Sequence, residues 1–521
     1  MGGILGSTLW LTAGNLANRS LGLLYRLLLA RLLDPARLGL FQLAMSLYFS
    51  LLTPVVAGLP DAVARVTARS AGHPLLPRVI ARTATLAVLG VAVPALVLLG
   101  TGWTPPGPGW DEARRAVPLA LFLPAVALAA ASAVLRGQFL GDGRAAWIVV
   151  AQLVEQLVRV GALFLAVRPG FVLPWSPLGF LVGLLVAGEA VGFLATMLAH
   201  QAVRAPATRP RPTAPGAAAS GTPRGPAADV PPRLGEVLGL AAPATVERIL
   251  LSAGRLVEAT LVPTRLVQVG LTLDQALAVY GELGSLAAPL LLLPTVFSGA
   301  LAAAIVPAVA QAETDPARLR QQVRRAVAVA LHLGVLAAVL FHREGATLAA
   351  LLFPGAVGGD YPGAGHLIHW VAPAALLLYT DQVAAAVMRG LGRPLEPMLV
   401  DLTSAAVRVA VIAGGIRPAM DPEAAVRVVC LSLVADVAVA GCGNLACALW
   451  RTGTRPDLVG WIVLPACAGV AALGILDGVG PLLGAALPGR LLTWTAAALA
   501  VAVIAWVAAA PARPGRPPVR A

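Results

Sequence analysis

Long apolar runs separated by short polar breaks occupy most of this chain. A helix that crosses a membrane needs about 20 mainly apolar residues. About fourteen runs approach or exceed that length, near 5–30, 38–60, 79–101, 114–136, 145–167, 178–202, 236–262, 283–310, 322–341, 367–389, 395–414, 424–450, 458–476 and 490–510. Many carry proline, as at Pro54, Pro60, Pro94, Pro124, Pro289 and Pro294. Membrane helices tolerate such residues because neighbouring groups satisfy the freed backbone. Two stretches break the pattern: residues 203–235 and the tail 511–521 are rich in Pro, Ala and Arg and have no helical period. The pattern predicts an all-α polytopic membrane protein. Its expected parts are a six-helix lobe over 1–202, a disordered cytoplasmic linker over 203–235, a second six-helix lobe over 236–451, two extra spans within 452–510, and a tail over 511–521.

Composition agrees. The chain has 521 residues, 58% of them hydrophobic and 12% charged, with mean hydropathy +0.83. A soluble chain is usually about 25% charged. The net charge of +13 comes from arginine alone. Arginines cluster in alternate breaks: Arg65, Arg69, Arg78 and Arg82; Arg136 and Arg144; Arg318, Arg320, Arg324 and Arg325; Arg389 and Arg393; Arg451 and Arg455. Cytoplasmic loops carry such an excess, so both termini are expected in the cytoplasm. The basic surface suits anionic lipid, and no basic patch interleaved with aromatics points to nucleic acid. Trp103, Trp110 and Trp175 fall in outer loops, where aromatic anchors are common. Cys430, Cys442, Cys447 and Cys467 lie in apolar segments without a CxxC and are expected as small buried residues. The N-terminus lacks a basic n-region and a small-residue cleavage site, so it is expected to be a retained span.

The first run contains NLANRSLGLLYR, Asn15 to Arg26. At about 100° per residue, Asn15, Arg19, Gly22 and Arg26 fall within roughly 60° of one another. An arginine at mid-bilayer costs about 2.5–3.5 kcal/mol on insertion scales. Two on one stripe therefore predict a wet cavity or an anionic ligand. The bland alternative is that Arg26 snorkels and Arg19 pairs with a buried acid. Further along the first half come Glu155, Arg159 and Glu189, and the first two are i,i+4 and able to neutralise each other. The second half holds Glu247, Arg248, Arg255, Glu258, Asp381, Asp401, Arg408 and Asp436. The expectation is an anionic headgroup on the first lobe and a coupling cation on the second, with structural ion pairs as the alternative.

The halves also resemble each other. VLRG at 134–137 recurs as VMRG at 387–390, and Gly143-Arg144 as Gly392-Arg393 at an offset of 249 residues. The same offset carries Gln152 to Asp401 and Arg159 to Arg408. Transporters often place substrate between such repeats.

These segments resemble a known family. NRSLGLLYRLLLARLL is similar to the arginine, Leu-Gly, Tyr-Arg signature of the stage V sporulation protein B group. That group lies within the multidrug/oligosaccharidyl-lipid/polysaccharide exporter superfamily and is related to MurJ-type lipid II flippases. GLPDAVAR at 58–65, YGELGSLAAPLLLLPTVFSGALAAAIVPAVAQA at 280–312 and VMRGLGRP at 387–394 also resemble the group. The resemblance implies two six-helix bundles in a V around a central cavity, plus two C-terminal helices. It implies an activity of moving undecaprenyl-pyrophosphate-linked glycans, such as a peptidoglycan precursor, across the bacterial cytoplasmic membrane. The chain departs from MurJ-type proteins in having no arginine in SLLTPVVAGLP, and it has Arg69 where the group often has Glu.

The expected substrate-binding residues are Arg19, Arg26, Arg65, Arg159 and Arg255. Glu258 and Asp401 are expected to couple a cation, Na+ or H+, and Gly58 and Pro60 to form a gate. No catalytic residue, structural metal or other cofactor is expected. The expected partners are a lipid-linked oligosaccharide and the bilayer, with the chain acting as a monomer near cell-wall synthesis enzymes. No GxxxxGK[ST] motif is present, which leaves ion gradient, membrane potential or downstream consumption as energy source. Competing readings are a multidrug or toxin cation antiporter of the same architecture and an integral-membrane glycosyltransferase or polymerase.

Overall fold

Apolar runs of this length become helices because lipid offers no partner to a backbone amide, so each must bond within its own segment. The computed structural model describes residues 2–56, 58–70, 73–204, 231–353, 361–479, 482 and 487–509. Of the described residues 86% are helical, and none of them lies in a strand. The helices are α1 (Gly2–Leu32), α2 (Pro35–Val56), α3 (Leu59–Arg69), α4 (Leu76–Thr101), α5 (Pro108–Ala116), α6 (Phe122–Gly141), α7 (Ala145–Ala166), α8 (Pro177–Arg204), α9 (Leu234–Gln268) and α10 (Leu273–Glu282). They continue as α11 (Ala288–Leu291), α12 (Thr295–Ala312), α13 (Pro316–Leu352), α14 (Ala364–Val371), α15 (Ala375–Gly390), α16 (Leu395–Gly415), α17 (Pro422–Thr452), α18 (Leu464–Gly478) and α19 (Leu487–Ala509).

Twelve helical stretches among the described residues are long and apolar enough to cross a membrane. With α1 and the shorter apolar helix Gly489–Ala505, they account for the predicted segments, so this is a multi-pass membrane protein. The predicted linker falls largely on residues 205–230, and the tail on 510–521; both lie outside the described residues. The longest helix, α13, has 37 residues and spans about 55 Å. Its N-terminal turn, rich in arginine, is capped by Asp315, whose carboxylate accepts from the amides of Ala317 and Arg318 at 3.1 Å. Asp421 caps α17 in the same way through Ala424 N at 3.1 Å. Such caps satisfy amides that have no partner inside the helix.

The chain separates into two compact units, Met1–Gly281 and Glu282–Ala521. In the first, α1 packs on α7, α3 on α6, and α6 and α7 on α8. Helix α9 lies against α2 and α3 and belongs to this unit. In the second, α15 packs on α12, α13 and α17, and α16 on α17. The pair α18 and α19 packs on α13, with Ala468, Ala472, Ala497 and Val501 against Leu336 and Val339. Ion pairs Arg343–Asp477 and Arg490–Glu344, at 2.7 and 2.8 Å, fasten that pair to α13, and Arg324–Asp457, at 2.7 Å, fastens the segment that leads into α18.

The repeat seen in the sequence is also a repeat of backbone geometry. Gly143 and Gly392 both have φ of +69°, a left-handed conformation that glycine adopts without steric cost. The amides of Asp142, Gly143 and Arg144 donate to the carbonyls of Gln138, Leu140 and Phe139. Those of Leu391, Gly392 and Arg393 donate to Val387, Arg389 and Met388. Two helix ends in different units thus close by one pattern of bonds. Of the cysteines, Cys430 is buried as expected, while Cys442 and Cys467 are exposed. Trp103 and Trp175 are exposed, but Trp110 is buried, so it anchors α5 to the protein rather than to lipid.

Candidate functional site

Charge inside the first unit is gathered into one network. Arg159 on α7 sends Nη2 to Glu155 Oε1 at 3.0 Å and to Glu189 Oε1 on α8 at 2.9 Å. The other oxygen of Glu155 takes Arg136 Nη2, from α6, at 3.2 Å. The Tyr48 hydroxyl on α2 donates to Glu189 Oε1 at 3.2 Å. One cluster therefore joins α2, α6, α7 and α8. Alongside it, Asn18 Nδ2 donates to Gln152 Oε1 at 3.3 Å, tying α1 to α7.

Small residues make room for these side chains. A Cβ on Gly188 would stand 2.2 Å from Arg159 Nε, and one on Gly192 would stand 2.7 Å from Glu155 Oε2. The two glycines are one turn apart on α8 and flank Glu189 on the helix surface. The i,i+4 spacing of Glu155 and Arg159 makes their contact local, but Glu189 and Arg136 reach them only through tertiary packing. Arg136 was expected in an inner loop; it is instead a member of the network. Tyr48 gave no signal in the sequence beyond being a polar residue in an apolar run.

The other predicted first-unit residues are dispersed. Arg19 is exposed and Arg26 half-buried, both on α1, and at Gly22 between them a Cβ would meet nothing within 4 Å. Arg65 is exposed on α3. Gly58 caps the start of α3, and Pro60 sits in the first turn of α3. A Cβ on Gly58 would come 2.4 Å from the Ala241 carbonyl of α9, so only glycine permits this approach. Further along α9, Ser252 Oγ donates to Ser50 Oγ at 3.1 Å. Trp110 Nε1 donates to Thr260 Oγ1 at 3.0 Å. Arg255 is exposed and Glu258 half-buried on the same helix.

The second unit has its own charged cluster. Asn444 on α17 donates from Nδ2 to Asp381 Oδ1 of α15 at 2.7 Å and to Asp401 Oδ1 of α16 at 3.3 Å. Arg408 Nη1 lies 3.5 Å from Asp436 Oδ2. Asp401 was predicted here; Asp381 and Asn444 join it through packing of three helices. Glu258, predicted as its companion, is on α9 in the first unit. No group of three or more His, Cys, Asp or Glu suited to a metal ion occurs among the described residues. The repeat offset also relates these clusters: Arg159 pairs with an acid on the next helix, and so does Arg408.

Two units that each repeat a glycine-closed turn and an arginine–carboxylate pair define a class of duplicated, all-helical membrane fold. Solved structures of that fold superpose on the chain. The lipid II flippase MurJ in an inward closed conformation matches with TM-score 0.65 and 11% identity, over 96% of this chain and 98% of that one. An inward-facing multidrug resistance MATE family transporter of the MOP superfamily matches with TM-score 0.57 and 13% identity, over 84% and 94%. By sequence, the polysaccharide biosynthesis protein family matches residues 4–209. The chain is similar to stage V sporulation protein B of Bacillus subtilis (strain 168), 25% identical over 418 residues, 78% of this chain and 76% of that protein. The chain thus has the fold of the MurJ and MATE structures, and its N-terminal part matches the polysaccharide biosynthesis protein family.

Proposed function

We propose that the chain moves undecaprenyl-pyrophosphate-linked glycans, a lipid II-type precursor or a polysaccharide unit, across the bacterial cytoplasmic membrane by alternating access. The observation that carries this reading is the charged cluster among the apolar helices of the first unit, with Arg136 and Arg159 against Glu155 and Glu189. Guanidinium groups are costly in lipid and bind phosphate oxygens bidentately. The headgroup would meet Arg19 and Arg26 on α1 first, with Arg65 at the inner mouth and Arg159 and Arg255 deeper along its path. The lipid tail would stay in the bilayer, and Gly58-Leu59-Pro60 would supply a bend for the swing.

Asp401, with Asp381 and Asn444 beside it, and Glu258 on α9 would couple transport to a cation. Carboxylate and amide oxygens suit a hard ion such as Na+, and a carboxylate pair also takes a proton. In this reading the protein works as a monomer with both termini in the cytoplasm, near enzymes of cell-wall synthesis. A second reading, export of cationic drugs, draws on the acids of the second unit and on the likeness to MATE structures. The excess of arginine in the first unit favours an anionic cargo.

The test is translocation of a fluorescently labelled lipid-linked precursor in proteoliposomes. Wild type should render it accessible on the opposite leaflet, and Arg26→Ala should lower the rate severely. Equal rates with and without protein would refute the reading; export of an organic cation instead would favour the second one.

A further inference from the structure

Arg159 is held by two carboxylates at once, and they are not equivalent. Both contact the same nitrogen, Nη2, while Nε is buried and has no hydrogen-bond partner. If Glu189 left, Arg159 would keep Glu155 at 3.0 Å. Glu189 in turn would keep the Tyr48 hydroxyl at 3.2 Å. If Glu155 left instead, both Arg159 and Arg136 would lose a partner. A buried charge stripped of its partner is costly, so Glu189 can leave Arg159 without stranding either group, whereas departure of Glu155 takes the partner from Arg136. The Arg159 side chain keeps 15% of its surface open, so the pair is not sealed.

We propose that Glu189 is a displaceable counter-ion and a specificity-determining residue: phosphate of an incoming headgroup takes its place on Arg159, and Tyr48 holds the released carboxylate. This rests on the phosphate-bearing cargo proposed above. Exchange of one anion for another keeps the guanidinium paired throughout, so the empty carrier never exposes a bare charge to the membrane interior. It also selects cargo, because a weak or singly charged anion competes poorly with a resident carboxylate, and a cation gains nothing from Arg159 at all.

The two residues around the carboxylate predict opposite signs. Full-length protein in nanodiscs would be titrated with farnesyl diphosphate, a short polyprenyl diphosphate, at fixed ionic strength. Glu189→Gln removes the competitor and should bind about tenfold tighter, the low end of coupling between close charge pairs. Tyr48→Phe removes the fallback donor and should bind more weakly than wild type. In an Arg159→Gln background the Glu189→Gln gain should vanish. A structural role for Glu189 would instead weaken binding in both single variants. Wild-type binding with Glu189→Gln unchanged or weaker overturns the exchange alone, as does a gain that survives Arg159→Gln. Failure of wild type to bind the diphosphate overturns the cargo reading and the exchange with it.

Discussion

Arg159 and Glu189 meet at 2.9 Å across α7 and α8, and Arg408, the counterpart of Arg159 at the repeat offset, stands 3.5 Å from Asp436 across α16 and α17. The two arginines share a place in the repeat but not an environment. The first pair is compact, with the Glu155 carboxylate accepting from Arg159 on one side and the Tyr48 hydroxyl donating to Glu189 on the other. The second has about a fifth of each side chain open.

That difference orders two substitutions. Arg159→Gln leaves Glu155 and Glu189 facing each other with one guanidinium lost, and breaking a buried pair typically costs 3–5 kcal/mol. Arg408→Gln opens a longer, more solvated pair and should cost about 1 kcal/mol. Thermal unfolding of the detergent-purified variants should show the larger drop for Arg159→Gln; the reverse order would mean that the first-unit network contributes little to folding.

Gly58 is a packing position. A methyl group there would meet the Ala241 carbonyl of α9 at 2.4 Å, and backbone cannot step aside as a side-chain tip can. Gly58→Ala should destabilise by about 1–3 kcal/mol and reduce transport, whereas Gly143→Ala acts through its left-handed φ instead. Pro60→Ala, which only relaxes the first turn of α3, should melt close to wild type. A Gly58→Ala protein as stable and active as the parent would show that α9 does not press on this bend.

Trp110 and Thr260 fasten α5 to α9 through one hydrogen bond of 3.0 Å. Trp110→Phe retains most of the buried ring and removes the donor; Thr260→Val retains the volume and removes the acceptor. Each should cost about 0.5–1.5 kcal/mol. The double variant should cost little more than either alone, which a double-mutant cycle on unfolding midpoints reads directly. Additive losses would mean that the two residues act separately.

Asn444 gives both hydrogens of its contacts to acids, Asp381 and Asp401. Asn444→Leu removes the shared donor and leaves two carboxylates to repel. The expected result is a transport rate whose dependence on Na+ or on pH shifts from that of the wild type. Asp381→Asn should alter the same dependence as Asp401→Asn does. If Asp381→Asn leaves it untouched while Asp401→Asn abolishes it, the pair does not act as a unit.

Some of this was open to reading along the chain. The i,i+4 spacing of Glu155 and Arg159 announced their contact, because helix geometry alone brings such residues together. The repeat was visible at Gly143 and Gly392, since a helix end closed by a left-handed residue needs glycine whatever surrounds it. Arg136 was misplaced because its position near a polar break fits an inner loop, and only the approach of α6 to α7 brings it to Glu155. Asp381 and Asp401 lie on separate helices, and nothing local marks Asn444 on a third as their common donor.

Hydropathy along one dimension was enough to establish an all-helical membrane chain and its approximate spans, because in lipid every amide must find its partner inside its own helix. The repeated turn followed equally from local backbone chemistry. Which charges neutralise which was decided by packing: α8 offers Gly188 and Gly192 as a floor for Arg159 and Glu155, and α9 approaches α2 and α3 because Gly58 lacks a side chain. Contacts of that kind depend on which helix faces are brought together, and electrostatic pairing across helices is a property of that arrangement rather than of spacing along the chain.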